Sequence, residues 1–193
     1  METNLTRAQK TRRLVGLALF TAIVVVLQLL GSFIKFGPFS ISLVLIPIVV
    51  GAALYGAWAG AWLGFVFSVV VLITDAGAFL AISVVGTVVT VILKGTLAGL
   101  LAGLAYKALE KHEYPAVLAS AFVCPVVNTG LFLLGCVVFF MPTIKEWAAA
   151  FGYENAGSYL ILGMVGLNFV FELGANLIFS PLIVRLIKLG RKE

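Results

Sequence analysis

The chain has 193 residues, 62% of them hydrophobic and only 11% charged, with a net charge of +5 and a mean hydropathy of +1.17. Soluble domains carry about 25% charged residues and roughly 45–50% apolar ones, so a water-soluble enzyme, secreted or cytosolic, is excluded. The apolar excess recurs in several long uncharged runs, which marks an all-α polytopic membrane protein with no room for a second soluble domain. Positions 1–193 are read as one membrane domain: 1–13 a basic N-terminal segment, 14–188 a compact bundle of six transmembrane helices, and 189–193 a tail.

Arg7, Lys10, Arg12 and Arg13 precede an uncharged run from Leu14 to Ile34, 21 residues long. As a helix this measures about 31 Å, enough to cross the hydrocarbon core. A signal peptide has a shorter apolar stretch and a small-residue cleavage site, so this run is the first span. Between Lys35 and Asp75 lie 39 residues without a charge, too many for one crossing. Gly51, Tyr55-Gly56 and Gly60 offer the place to fold back, giving a second span near Ile41–Leu54 and a third over Ala57–Thr74. The second is short and contains Pro47, so it is tilted, kinked or partly re-entrant. Ile82–Tyr106 forms the fourth span, Pro115–Met141 the fifth and Tyr159–Val184 the sixth. Lys145, Glu146, Trp147 and Glu154 fall in an amphipathic loop between the last two.

Six spans place both termini on one side. That side, with the turn after the fourth span, holds ten of the thirteen Lys and Arg residues. The positive-inside rule therefore predicts cytoplasmic termini. The basic balance is explained by topology and contact with anionic lipid, with no nucleic-acid partner required. Cys124 and Cys136 would sit roughly 18 Å apart along one helix, too far to bridge, and are read as small buried apolar residues. No metal set and no cofactor is expected.

Gly56, Gly60 and Gly64 in the third span and Gly95, Gly99 and Gly103 in the fourth form stripes that allow close helix approach. Ala18 and Ala22 make a smaller stripe in the first span. Internal bundle packing explains such faces as well as partner contact does.

Lys94 and Glu172 lie midway along their spans. A charge there costs at least ~2.5–3.5 kcal/mol on insertion scales, so it faces the bundle interior with a partner or a function. Asn168 and Asn176 flank Glu172 at i−4 and i+4 and share its helical face. Asn128 sits in the fifth span after Pro125. Two readings stand: a structural ion pair with interhelical hydrogen bonds, or a recognition site for a small polar solute. Phe36 between the first two spans and Trp147 in the last loop serve either as interfacial anchors or as part of an aromatic lid. No P-loop and no H-E-x-x-H sequence occurs, and the one histidine, His112, lies in a charged turn, so catalysis is not expected.

Several strings together resemble a known family: the basic N-terminus followed by Ala18-Leu-Phe-Thr-Ala22, the stretch from Ile41 to Gly56, Gly60-Ala-Trp-Leu-Gly64, and Leu93-Lys-Gly-Thr-Leu-Ala-Gly99. With the size and span number, the chain is similar to the S component of energy-coupling factor (ECF) vitamin transporters of prokaryotes. The resemblance implies a six-helix bundle in the cell membrane that captures a water-soluble vitamin from outside. It further implies docking through Ala18 and Ala22 onto a transmembrane coupling subunit, with two cytoplasmic ATPases supplying energy. On that footing Lys94, Asn128, Asn168, Glu172, Phe36 and Trp147 are the candidate substrate-binding residues. Lys94 would meet a carboxylate and Asn128, Asn168 and Glu172 amide or hydroxyl groups, a set that suits pantothenate. The alternatives are an autonomous channel or secondary carrier, and a ligand-free membrane scaffold.

Overall fold

A computed structural model describes residues 7–33, 35–36, 39–40 and 43–192, with side chains over 7–33 and 43–190. Helix α1 (Arg7–Gly31) runs without interruption from the basic segment into the apolar run. Strands β1 (Lys35–Phe36) and β2 (Phe39–Ser40) pair antiparallel. Helices α2 (Leu45–Tyr55) and α3 (Ala57–Thr74) follow. They are separated by Gly56 alone, at φ 94°, a backbone state that glycine adopts without a Cβ clash. The fold-back expected around Gly51, Gly56 and Gly60 thus occurs at the middle glycine. Pro47 lies in the first turn of α2, where its missing N–H would have had no intrahelical partner.

Every residue of α2 from Pro47 to Ala53 is buried. At 11 residues it measures about 16 Å, half the thickness of a bilayer core, so it forms the centre of the bundle rather than a full crossing. Among the described residues, five helical stretches are long and apolar enough to cross a membrane: Arg7–Gly31, Ala57–Thr74, Val84–Ala108, Glu113–Ala150 and Ala156–Ile178.

A short α4 (Gly77–Leu80) leads into α5 (Val84–Ala108), whose N-terminus is capped by Ser83 accepting from the Gly86 N–H. Helix α6 (Glu113–Gly135) passes through a π-helical turn, Cys136–Phe140, into α7 (Met141–Ala150). The segment carrying Lys145, Glu146 and Trp147 is therefore a helical extension of the fifth span, where a loop was expected. The widened turn directly precedes Pro142, whose missing N–H disfavours regular α-helical bonding there.

A single-turn α8 (Ala156–Ser158), a second π-helical stretch (Tyr159–Val165) and α9 (Gly166–Ile178) make the next crossing. It stops at Phe179, and α10 (Ser180–Lys192) starts a new helix, so the expected span Tyr159–Val184 is shorter at its end. The cause is Pro181, which has no N–H for a preceding carbonyl and is tolerated only in a first turn.

One groove of about 460 Å³ is lined by Gln9, Arg12 and Arg13 of α1, by Tyr55 and Gly56, and by Gly190 of α10. The start of α1 and the end of α10 therefore lie at the same end of the bundle. Arg13 Nη2 donates to the Tyr55 carbonyl, a cation at a helix C-terminus, and Lys188 pairs with Glu113 at 3.3 Å.

The main core gathers α2, α3, α5, the basic-end half of α6 and Ile183 and Ile187 of α10; a second cluster at the Trp147 end contains Cys136, Phe140, Ile144, Tyr159 and Met164. The glycine stripes of α3 and α5 face one another. A Cβ on Gly64 would overlap the Gly95 carbonyl and one on Gly99 the Gly60 carbonyl. The buried Ser68 hydroxyl, within bonding range of Gly64 O at 3.0 Å and Val91 O at 2.7 Å, links the same two helices. Internal packing accounts for these stripes. Gly64→Leu should cost about 2 kcal/mol or more, since a rigid backbone cannot give way, and should lower the unfolding temperature in detergent. Gly174→Ala, with nothing near its new methyl, should leave it unchanged or raise it.

Ala18 and Ala22 behave differently. Both are exposed, on one outward face of α1, and only Val24, Gln28 and Gly31 of that helix are buried.

Candidate functional site

Lys94 stands in the middle of α5, directly before the glycines that bring α3 close. Its Nζ lies 5.7 Å from the centroid of the Phe67 ring and 5.3 Å from that of Phe132, so the π-faces of two helices hold the ammonium. Asn128 is 5% exposed on α6, one turn beyond Pro125. On α9, Asn168 Nδ2 donates to Glu172 Oε1 at 3.3 Å and Asn176 Nδ2 donates to the Glu172 carbonyl at 2.8 Å.

Lys94, Asn128 and Asn168 converge on one small cavity of about 50 Å³, shared with Thr129, Phe132, Met164 and Val165. Three helices, α5, α6 and α9, thus each place one of the expected residues on a common wall. Asn128 Oδ1 and Asn168 Oδ1 are buried and accept no hydrogen bond among the described residues. The Asn168 amide orientation follows from its neighbour: its NH₂ must face the carboxylate, which turns its oxygen away. Unmatched buried acceptors are expensive, and a donor in the cavity would relieve both.

Glu172, 3% exposed, is not on the cavity wall. It stands behind Asn168, and among the described residues it makes no direct salt bridge with Lys94, although each charge acts on the other electrostatically. Its Oε2 also has no partner. Asn176 bonds backbone and stays off the cavity. Trp147 is one ring further out: it packs edge-on against Phe79 at 5.7 Å, and Phe79 in turn packs on Phe132 at 5.7 Å and Phe140 at 5.0 Å. The side chain of Phe36 lies outside the described residues.

A second cavity, about 60 Å³, lies on the other side of Phe132 and shares Lys94 with the first. Its polar members Asp75, Thr87 and Thr90 were not among the expected site residues. Phe132 was legible as the residue one turn from Asn128 on the same face, and Asp75 as the lone acid ending a 39-residue uncharged run. Met164 and Phe140 were not legible: each belongs to a π-helical stretch, and the added residue shifts every later side chain by about 100° around the helix axis.

Each cavity is the size of one or two waters, at ~30 Å³ per water in the liquid. Sites that enclose small organic ligands measure about 300–1,000 Å³. A ligand of that size would fit only if cavity-wall rings such as Phe79 and Phe132 moved.

The family model for the substrate-specific component of ECF transporters matches residues 12–184. The chain belongs to this family. Neither a curated protein nor a solved structure matches it significantly. ECF substrate-specific components are the substrate-binding membrane subunits of importers, working with a membrane coupling subunit and ATPases. The match spans α1 to α10, so the apolar helices of this S component and its small polar cavity belong to one transport subunit.

Proposed function

We propose that this S component captures a small, anionic, hydroxylated vitamin, with pantothenate the preferred ligand, for ATP-driven uptake across a prokaryotic cell membrane. The observation that carries the reading is the pairing of a buried ammonium with two unmatched amide oxygens on one cavity wall. Lys94 offers a cation to a carboxylate, while Asn128 Oδ1 and Asn168 Oδ1 need hydroxyl or amide N–H donors. Pantothenate carries one carboxylate, one amide and two hydroxyls. Glu172 acts by holding Asn168, and Phe36 and Trp147 close the site from outside.

In this reading the short α2 completes six membrane-inserted elements, and both termini face the cytoplasm, as the positive-inside rule predicts. The exposed alanines of α1 meet the coupling subunit, and two cytoplasmic ATPases drive delivery. Purification from cells grown with labelled pantothenate, followed by mass spectrometry of the bound small molecule, tests the assignment. Recovery of about one equivalent of pantothenate is expected. Recovery of a different vitamin corrects the substrate. No bound vitamin, together with solute flux through proteoliposomes containing this chain alone, overturns the reading in favour of an autonomous carrier.

A further inference from the structure

Asp75 ends α3 as its C-cap residue, the position where a helix dipole disfavours negative charge. Helix formation therefore does not explain it. Its Oδ2 accepts from Gln28 Nε2 at 2.9 Å and from Thr74 Oγ1 at 2.7 Å. Gln28, 1% exposed, comes from α1. Two donors from different helices thus clamp one carboxylate oxygen. The other, Oδ1, has no hydrogen-bond partner among the described residues, and Asp75 is on the wall of the second cavity.

That cavity is mostly apolar, with Phe79, Phe132 and Phe140 on its walls beside the hydroxyls of Thr87 and Thr90. It has a cation at one place, Lys94, and a fixed anion at another, Asp75. Thr90 lies on the wall too, and its buried Oγ1 lacks a partner among the described residues. Phe132 is the partition between the two cavities, since it lines both. Rotation of that ring would merge them into one elongated chamber with Lys94 at the junction.

We propose that Asp75, assisted by Thr90, is a second recognition pole that selects ligands with a hydrogen-bond donor beyond an apolar segment, distal to the anionic group held by Lys94. The proposal rests on the vitamin-capture reading and extends it. A carboxylate clamped before the ligand arrives loses no side-chain freedom on binding. In an apolar chamber it rejects a ligand that leaves it unpaired. For pantothenate the donor is the terminal hydroxyl, and the apolar segment is the gem-dimethyl carbon that separates it from the hydroxyl beside the amide.

Asp75→Asn separates this role from a structural one. The amide oxygen still accepts from Gln28 and Thr74, while an NH₂ replaces the free oxygen and turns an acceptor into a donor. Titration of purified protein with pantothenate and with N-(3,3-dimethylbutanoyl)-β-alanine, which keeps the carboxylate, amide and gem-dimethyl group but lacks hydroxyls, is the measurement. Wild type should bind pantothenate at least 10-fold more tightly. Asp75→Asn should lose 10-fold or more for pantothenate, little for the analogue, and unfold within a few degrees of wild type. If its pantothenate affinity stays within twofold, Asp75 only ties α1 to α3 and the proposal is wrong. Should Asp75→Asn not fold, Thr90→Val, which keeps the shape, must weaken pantothenate about threefold or more while sparing the analogue; equal effects on both overturn the proposal. If pantothenate does not bind wild type, biotin and folate, each with a carboxylate, are titrated against the same variants. Failure of all three overturns the vitamin-capture reading itself, whereas wild-type binding with unaltered variants overturns the Asp75 assignment alone.

Discussion

Lys94→Met is expected to abolish ligand capture while leaving the bundle at least as stable as wild type. The two outcomes have opposite signs because the two roles of the ammonium oppose each other. In the unliganded protein it is a charge inside the membrane, held by the rings of Phe67 and Phe132 at 5.7 and 5.3 Å, with no direct salt bridge to Glu172 among the described residues. A methionine of similar length suits those rings and removes the desolvation penalty. With the proposed ligand present, the loss leaves a buried carboxylate without its counter-charge, which typically costs about 3–5 kcal/mol. At 1.4 kcal/mol per tenfold, pantothenate affinity should fall by roughly two to three orders of magnitude. Titration calorimetry and a thermal melt on the same preparation measure both.

Asn128→Ala provides the scale for a neutral contact. Removing one buried acceptor that a ligand hydroxyl uses costs about 1–2 kcal/mol, or roughly tenfold in affinity. Affinities within twofold of wild type for both Lys94→Met and Asn128→Ala would place the ligand elsewhere.

Ala22→Leu is expected to stop uptake without touching binding. Ala18 and Ala22 are exposed one turn apart on α1, so neither packs inside the bundle. Small residues at that spacing let the backbone of a second membrane helix come close, and van der Waals contact at short range is what drives helix association in lipid. A leucine holds such a partner off by the length of its side chain. In proteoliposomes that contain the coupling subunit and ATPases, labelled-vitamin uptake should drop at least tenfold, with the Kd of the isolated S component unchanged. Ile23→Leu, at an exposed position of α1 about 100° around the helix from Ala22, serves as the comparison on a different face and should leave uptake near wild type. Normal uptake by Ala22→Leu would show that the partner docks on a different face.

These variants also mark where local sequence sufficed. Membrane character, most span starts, the fold-back at Gly56 and the complementary glycine stripes of α3 and α5 were all legible, and so were the three polar residues that meet at the first cavity. Insertion into a bilayer depends on the composition of each segment, and helical phase is regular over a few turns, so both can be read residue by residue. Glu172 stands behind Asn168 and accepts from its amide rather than forming a direct salt bridge with Lys94.

Other features depended on the assembled bundle. Gln28 and Asp75 are separated by 47 positions and meet only because α1 packs beside α3. The two π-helical stretches reset the phase of α7 and α9 by about 100° for each added residue, which brought Phe140 and Met164 onto cavity walls and no periodicity could foretell. Composition and spacing determined that the chain enters the membrane and which few polar residues it takes there. Tertiary packing alone decided which of them share a cavity, because neighbourhood between helices is set by crossing geometry and close contact rather than by order along the chain.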